Sequence, residues 1–437
     1  MMIPTHEERT ISYHTVTLGK LIRSGETVAE ITDINEAGET QQQTLYVPAG
    51  LPGELVTIAV ETAAKQLSGK RKRHWKPRPP RVWITEIHQA SPLRATAACP
   101  VFGTCGGCQL QHMHYPAQLA WKYSQVKQLL HDIGHFEQPP LLATVPCDEP
   151  WHYRNHMRFS VNRNGQLGLT ARGSHHVLPL TDCPIAHRQI NQVLHILQQH
   201  PNPRPQALIR CATTSNQVML QPAPDEEIAT QLTEDGLELH TDTMEEVLGG
   251  QTFRIRPSSF FQTNTAQAEK MVHMVLQGLL TEPQHYTSQA QKLTIVDAYC
   301  GVGTFAIILA QYVGRVIAIE ESASAIKDAQ WNARKISNIE IIKGKVEDML
   351  PTLSTQINGF IIDPPRAGCQ PHVLAALANN PVARIVYVSC DPSTLARDLD
   401  ILCHVHSTYQ LRSVQPLDMF PQTAHIECVA VLEYRHV

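Results

Sequence analysis

Leu293-Thr-Ile-Val-Asp-Ala-Tyr-Cys-Gly-Val-Gly-Thr304 carries an apolar, β-branched run into a Gly-x-Gly turn and on into a helix-like Thr-Phe-Ala-Ile-Ile-Leu stretch. Strand, glycine turn and helix in that order make a ligand loop. Glycine lets the backbone approach a ligand closely, and a helix N-terminus favours polar groups. A lone Gly-x-Gly also serves turn geometry alone, but two acids sharpen the reading. Asp297 ends the strand, and Glu320, 23 residues on, ends the next. An acid there is placed to accept hydrogen bonds from ribose hydroxyls. The third glycine of a dinucleotide loop is missing, because Thr304-Phe-Ala follows Gly303. That tilts the reading toward S-adenosylmethionine.

Downstream, the same alternation repeats. Arg315–Glu320, Gly359–Asp363 and Arg384–Ser389 read as strands, followed by helical stretches over 324–336, 372–378 and 393–402, and Glu427–Glu433 reads as a closing strand. This rhythm predicts an α/β fold, a mostly parallel, doubly wound Rossmann-like sheet. A helix is expected over 265–280. Upstream, residues 11–62 read as short strands punctuated by Gly25, Gly38, Gly50 and Gly53, which suggests a small β-barrel. A helix is expected over 116–131 and another over 187–199. Residues 151–180 look like strands, with Asn164-Gly165 as a hairpin signal, and 207–256 mix strand and helix.

Loops at the carboxyl ends of neighbouring parallel strands share one crevice. Asp363-Pro-Pro-Arg-Ala-Gly368 and Ser389-Cys-Asp-Pro392 are such loops, and Glu427 opens the last strand after Phe420-Pro421. A single cysteine is often only a small buried hydrophobe. Here a carboxylate is expected beside it, and a helix starting at Ser393 is expected to lower the Cys390 pKa through its dipole. A thiolate, a base and a methyl donor suit one chemistry. The C5 carbon of a pyrimidine is a poor nucleophile until a thiolate adds at C6; a base must then remove the C5 proton. Cys390 and Glu427 supply the thiolate and the base.

Cys99-x5-Cys105-x2-Cys108 has the spacing of metal ligands. Three thiolates need a fourth partner; Cys183 in Thr-Asp-Cys-Pro is preferred, with Cys147 as the rival. Spacing leaves zinc and an iron–sulfur cluster both open.

The chain has 437 residues and a formal net charge of −4, with 42% hydrophobic and 17% charged residues, a composition able to bury cores. No apolar run is long enough for a membrane span, and the N-terminus lacks the apolar core of a signal peptide. A soluble, cytoplasmic monomer is expected, with reduced or metal-bound cysteines. Eight Lys/Arg and no acid lie between Lys65 and Arg81, beside Trp75 and Trp83, and Arg154, Arg158, Arg163 and Arg172 form a second acid-free stretch. Both suit phosphate contacts with aromatic stacking, although solvated basic loops look the same.

With these motifs together, the chain resembles the RNA (uracil-5-)-methyltransferase family, specifically its iron–sulfur-containing 23S ribosomal RNA branch, over nearly its whole length. The resemblance implies a TRAM/OB-like RNA-binding barrel with a basic tail over 1–75, a central α+β iron–sulfur and RNA-binding domain over 76–256, and a methyltransferase domain over 257–437. It implies [4Fe–4S] ligands at Cys99, Cys105, Cys108 and Cys183. Phe260-Phe-Gln-Thr-Asn264 matches a segment whose glutamine touches the methyl donor, which adds Gln262. Tyr299, Thr304, Glu320 and Asp363 fall on the other donor-binding positions, Cys390 on the nucleophile and Glu427 on the base. Two departures are Asp391, where Asn is usual, and Thr304, often Asn. A carboxylate beside a thiolate opposes its ionisation unless turned away. The implied reaction makes 5-methyluridine in 23S ribosomal RNA. Alternatives are the same chemistry on transfer RNA and a non-catalytic RNA-binding assembly protein.

Overall fold

The computed structural model describes residues 9–34, 40–63, 80–280, 292–353 and 355–435. Most of the basic tract, Lys65 to Arg78 with Trp75, lies outside the described residues. The chain divides into two compact units: residues up to Gln118 together with Gln422–Ala424, and Leu119–Pro421 together with His425 onward.

The first unit is β-rich. Strands β1 (Arg9–Thr17), β4 (Leu55–Ala63) and β5 (Arg81–Gln89) form an antiparallel sheet, and β2 (Glu26–Ile34) pairs β3 (Thr40–Pro48) as a hairpin. Alternate residues of the two sheets, among them Ala29, Ile31, Leu45, Val47, Val56, Ile58 and Val60, bury one shared core, as period-2 patterning requires. β5 was not anticipated: it follows a tract whose Lys, Arg and Pro mask a strand signal. Beyond it, Glu54 is wholly buried and takes Arg94 on both oxygens, at 2.5 and 2.6 Å.

The second unit holds a six-stranded sheet in the order β11-β10-β9-β6-β7-β8. Its strands are β6 (His156–Val161), β7 (Leu167–Thr170), β8 (Val177–Pro179), β9 (Gln206–Cys211), β10 (Gln217–Gln221) and β11 (Glu238–His240). The Asn164-Gly165 turn joins β6 to β7 as the sequence suggested, with Gly165 at φ 78°. Helices α1 (Tyr115–Asp132), α2 (Arg188–Leu197) and α3 (Glu226–Glu234) accompany these strands in sequence. A hairpin, β12 (Met244–Leu248) and β13 (Gln251–Ile255), leads to α4 (Thr265–Leu279).

The rest of the unit is a seven-stranded sheet. In chain order come β14 (Thr294–Ala298), α5 (Thr304–Leu309), β15 (Arg315–Glu320), α6 (Ala323–Asn332), β16 (Ile339–Lys343), α7 (Val346–Met349), β17 (Gly359–Ile362), α8 (Pro371–Asn379), β18 (Arg384–Ser389), α9 (Pro392–Asp400), β19 (Tyr409–Leu417) and β20 (Glu427–Tyr434). The spatial order is β16-β15-β14-β17-β18-β20-β19. The first five strands are parallel; β20 runs antiparallel between β18 and β19. β16 and β19 were also not anticipated. In β19 a register shift between Leu411 and Ser413 breaks the alternation, and Pro416 sits in the strand, which is tolerated because this is the sheet edge.

Successive residues of the parallel strands bury opposite faces. Val296, Ile317, Phe360 and Tyr387 pack with α1, α8 and α9; Ile295, Val316, Ile361 and Val386 pack with α4 and α5. This is the two-sided burial that makes parallel strands read as continuous apolar runs. No described helix is long and apolar enough to cross a membrane.

Candidate active site

The strand order reverses between β14 and β17, so their carboxyl ends open a crevice at the topological switch point. After β14 the chain turns through Tyr299 (φ 65°), Gly301 (φ 57°) and Gly303 (φ 89°) before entering α5. A Cβ on Gly301 would stand in open space with nothing within 4 Å, so the turn presents bare backbone to the crevice. The turn is fixed from behind. Asp297, wholly buried, accepts from Ala306 N at 2.8 Å. Its other oxygen has no partner among the described residues. Burial pushes its carboxyl up to about 8. Glu320 accepts Gly301 N at 2.9 Å through one oxygen and Ser322 N at 2.7 Å through the other. Each carboxylate oxygen keeps a second lone pair. Tyr299 and Thr304 are half-buried on the same loop.

Asp363 follows β17 immediately, its N–H donating to Ala298 O at 3.4 Å. Cys390 follows β18. In the β18–β20 register Ser389 faces Cys428, so the next positions outward bring Cys390 and Glu427 together. Electrostatics register this proximity. Burial raises the Cys390 thiol to about 11, with Glu427 and then Asp363 adding to the rise and Arg366 opposing it. Burial, and next Asp363, hold the Glu427 carboxyl well above the usual range, again against Arg366. Burial lifts Asp363 to about 7. The expectation of a depressed Cys390 pKa is therefore corrected. α9 does begin beside it, but burial and two carboxylates outweigh the dipole.

The Asp391 carboxylate is engaged by α9. Its Oδ1 accepts from Ser393 N at 2.9 Å, Thr394 N at 3.4 Å and Ser393 Oγ at 2.6 Å, making it the N-cap of α9. The carboxylate in place of asparagine thus serves the helix rather than opposing the thiolate. The Asp363–Cys369 loop is fastened to the same helix. Thr394 Oγ1 donates to Arg366 O at 3.2 Å, Arg397 to Ala367 O at 3.0 Å, and Cys369 N to Asp398 at 2.8 Å. Gly368 (φ 77°) passes so close that a Cβ would fall 2.7 Å from Asp398.

Gln262 lies half-buried between β13 and α4. Asn155, 3% exposed, donates its N–H to Thr263 O at 2.9 Å and its Nδ2 to Gln262 O at 3.2 Å. Arg366 was not assigned a role from sequence. It is exposed, acts electrostatically on both Cys390 and Glu427, and donates to His425 Nδ1 at 3.4 Å. Its place in Asp-Pro-Pro-Arg was the available signal; Asn155 had none.

Of the basic stretch, Arg158 and Arg163 are exposed. His156 is held down to about 3, first by burial and then by the charges of Arg210, Arg154 and Arg158.

Cys99, Cys105 and Cys108 are half-buried in one loop of the first unit. Burial raises the Cys105 thiol and Cys99 adds to the rise; Gly107 N donates to its sulfur at 3.4 Å. Cys183 belongs to the second unit, its backbone bracketed by Asn191 at 3.0 and 3.1 Å. The rival Cys147 spends its thiol on Glu149 O at 3.2 Å and receives Asn264 Nδ2 at 3.6 Å. Among the described residues no group of three or more His, Cys, Asp or Glu is arranged to hold a metal ion.

The profile of the family described as tRNA (Uracil-5-)-methyltransferase matches residues 226–435. A protein of Gloeobacter violaceus, named as an uncharacterized RNA methyltransferase, is 33% identical over 470 residues, 96% of each chain. One of the same description from Thermosynechococcus vestitus is 32% identical over 90% of this chain and 94% of its own. A solved tRNA (uracil-54, C5)-methyltransferase of Pyrococcus abyssi, in complex with S-adenosyl-L-homocysteine, shares the fold. Its TM-score is 0.68 over 96% of this chain and 99% of that one, at 23% identity. The protein is an RNA methyltransferase, and the chain belongs to the tRNA/RNA uracil-5-methyltransferase family.

Proposed function

We propose that the protein methylates C5 of a uridine in 23S ribosomal RNA through a covalent cysteine adduct. The observation that carries this reading is the β18–β20 register, which sets Cys390 against Glu427 beside Asp363. Cys390 adds as thiolate to C6, and the electron pair moves to C5. C5 takes the methyl group. Glu427 then removes the C5 proton, the C5–C6 double bond re-forms and the thiolate leaves. S-adenosylmethionine, when bound, supplies the methyl group as an electrophilic carbon on a sulfonium. The loop fits it: bare backbone at Gly301 gives close approach, and Tyr299, Thr304, Glu320, Asp363 and Gln262 would hold its nucleoside and amino-acid parts. Arg366 lowers the energy of both the thiolate and the Glu427 carboxylate. The target base must be flipped out or in a loop, because stacking hides C5 and C6.

The first unit is read as a TRAM-like RNA-binding module, with domain limits near 75 and 256. Three thiols in one loop fit the donor chemistry of a [4Fe–4S] cluster, with Cys183 carried as the fourth ligand. The methylation needs no electron transfer, so the cluster would be structural.

The test is anaerobic incubation with labelled S-adenosylmethionine and unmodified ribosomal RNA, followed by nucleoside mass spectrometry. Label in 5-methyluridine that Cys390→Ala abolishes supports the reading. Label on transfer RNA alone moves the substrate to the second reading, which the description of the matching family favours. No label on either RNA would overturn the enzyme mechanism.

A further inference from the structure

Four successive backbone carbonyls, those of residues 418 to 421, are each received by a different buried side chain. Gln267 Nε2 donates to Asp418 O at 2.9 Å, and Asn264 Nδ2 donates to Met419 O at 3.1 Å. Lys122 Nζ donates to Phe420 O and Tyr153 Oη to Pro421 O, at 3.1 and 3.0 Å. The four side chains are 0%, 1%, 0% and 7% exposed. Lys122 also meets the buried Asp418 carboxylate at 2.5 Å. A loop needs no such series merely to turn, because its carbonyls can face water. Here every one is fixed to a rigid element, α1 or the start of α4, or to the Tyr153 segment before β6.

This stretch begins beside Leu417, which pairs Glu427 in the β19–β20 ladder. The same α4 start follows directly on Gln262, and Asn264 both caps α4, accepting Gln267 N at 3.2 Å, and holds Met419. The geometry points to Lys122, Tyr153, Asn264 and Gln267 as positioning residues for the Glu427 base, linking its hairpin to the Gln262 loop. Their bonds run to backbone carbonyls and to the Asp418 carboxylate, so they act through the Glu427 hairpin. They set the distance from the Glu427 carboxylate to the C5 proton, and small misplacements of a base cost rate steeply. The inference rests on Cys390 and Glu427 acting as proposed above.

Because Glu427 acts only after methyl transfer, a displaced base has its own signature. The methylated adduct, with the Cys390 sulfur still bonded to C6, forms normally and resolves slowly. In RNA carrying 5-fluorouridine, C5 has no proton to lose and fluorine cannot leave as a cation, so the adduct persists and its formation is read without Glu427. The experiment compares the wild-type protein with Tyr153→Phe and Gln267→Met, two mild changes in separate elements. Covalent complexes are followed by denaturing gel on both RNAs, with S-adenosylmethionine present. The expected result is wild-type adduct formation on fluorinated RNA, but release of methylated ordinary RNA at least about tenfold slower, with adduct accumulating. Unchanged release, or equal slowing on both RNAs, would overturn the positioning role. If the wild-type protein forms no adduct on fluorinated RNA, the covalent mechanism itself fails, and the inference with it.

Discussion

The Tyr387 hydroxyl donates to Asp398 Oδ2 at 2.7 Å inside the sheet–helix core, and the same oxygen takes Cys369 N at 2.8 Å. Asp398 is wholly buried, and Arg397 meets its other oxygen at 2.7 Å. One carboxylate therefore joins β18, α9 and the loop after Asp363. Removing it leaves a buried hydroxyl and an N–H unpaired. Asp398→Ala should cost about 3–5 kcal/mol and Tyr387→Phe about 1 kcal/mol in denaturant unfolding. Equal, small losses would mean the carboxylate is not the shared anchor.

Cys390 should be a slow thiol in the protein alone. With its pKa near 11, roughly one molecule in a thousand is thiolate at pH 8. Alkylation of the Cys390 peptide, followed by mass spectrometry, should rise about tenfold per pH unit up to about pH 10. Arg366→Gln removes the opposing charge and should slow it further at every pH. Asp391→Ala should leave it nearly unchanged while losing about 1 kcal/mol of helix-cap stability. A plateau below pH 9 would contradict the electrostatic account.

Acidic groups raised by burial also set a pH dependence of folding. Asp297 goes from 3.8 to about 8 and Asp363 from 3.8 to about 7. The native state then holds protons that the unfolded chain has released. Their stabilising contribution is full below about pH 4 and is lost as pH rises through 7 and 8. Each group alone would lower unfolding free energy by about 1.4 kcal/mol per pH unit inside its window. Urea unfolding of Asp297→Asn between pH 5 and 8 should have a shallower slope than the parent. An unchanged slope would show that Asp297 is ionised in the native protein.

Ligand removal separates the cysteine loop from the reaction centre. Cys105→Ala, purified without oxygen, should lose bound iron and protease resistance in its own unit. Binding of S-adenosylhomocysteine should stay within about twofold, because independent sites contribute additively. Iron content equal to the parent would remove Cys105 from the ligand set.

Much of the candidate site was legible because it is local. Gly301, Asp363 and Cys390 each lie just past the end of an apolar strand, and strand ends can be read from a few neighbouring residues. Gln262 was not legible in that way; it came from resemblance, since nothing in a loop after an edge hairpin signals a ligand. Lys122, Tyr153 and Asn155 carried no signal at all. Lys122 reaches Phe420 across 298 positions of sequence, and Asn155 reaches Gln262 across 107. Such pairings exist only once the sheet has brought them together. β19 escaped because its bulge and Pro416 disguise a two-residue period. The direction of the Asp391 carboxylate was undecidable from composition, since a cap and a repelling neighbour have the same residue type; only the backbone angle at the helix start chooses.

The insertion of β20 between β18 and β19 bears on synthesis. When the first 417 residues have left the ribosome, the loop after β14 and Cys390 exist, but β19 has only isolated bridges to Leu141 and Val145 in place of its ladder partner β20, and Glu427 is unmade. The sheet must admit its interior strand after its edge strand. On the proposed mechanism, catalytic competence therefore arrives in one late step, and a chain interrupted before residue 427 would lack both the proposed base and the interior strand of its own sheet.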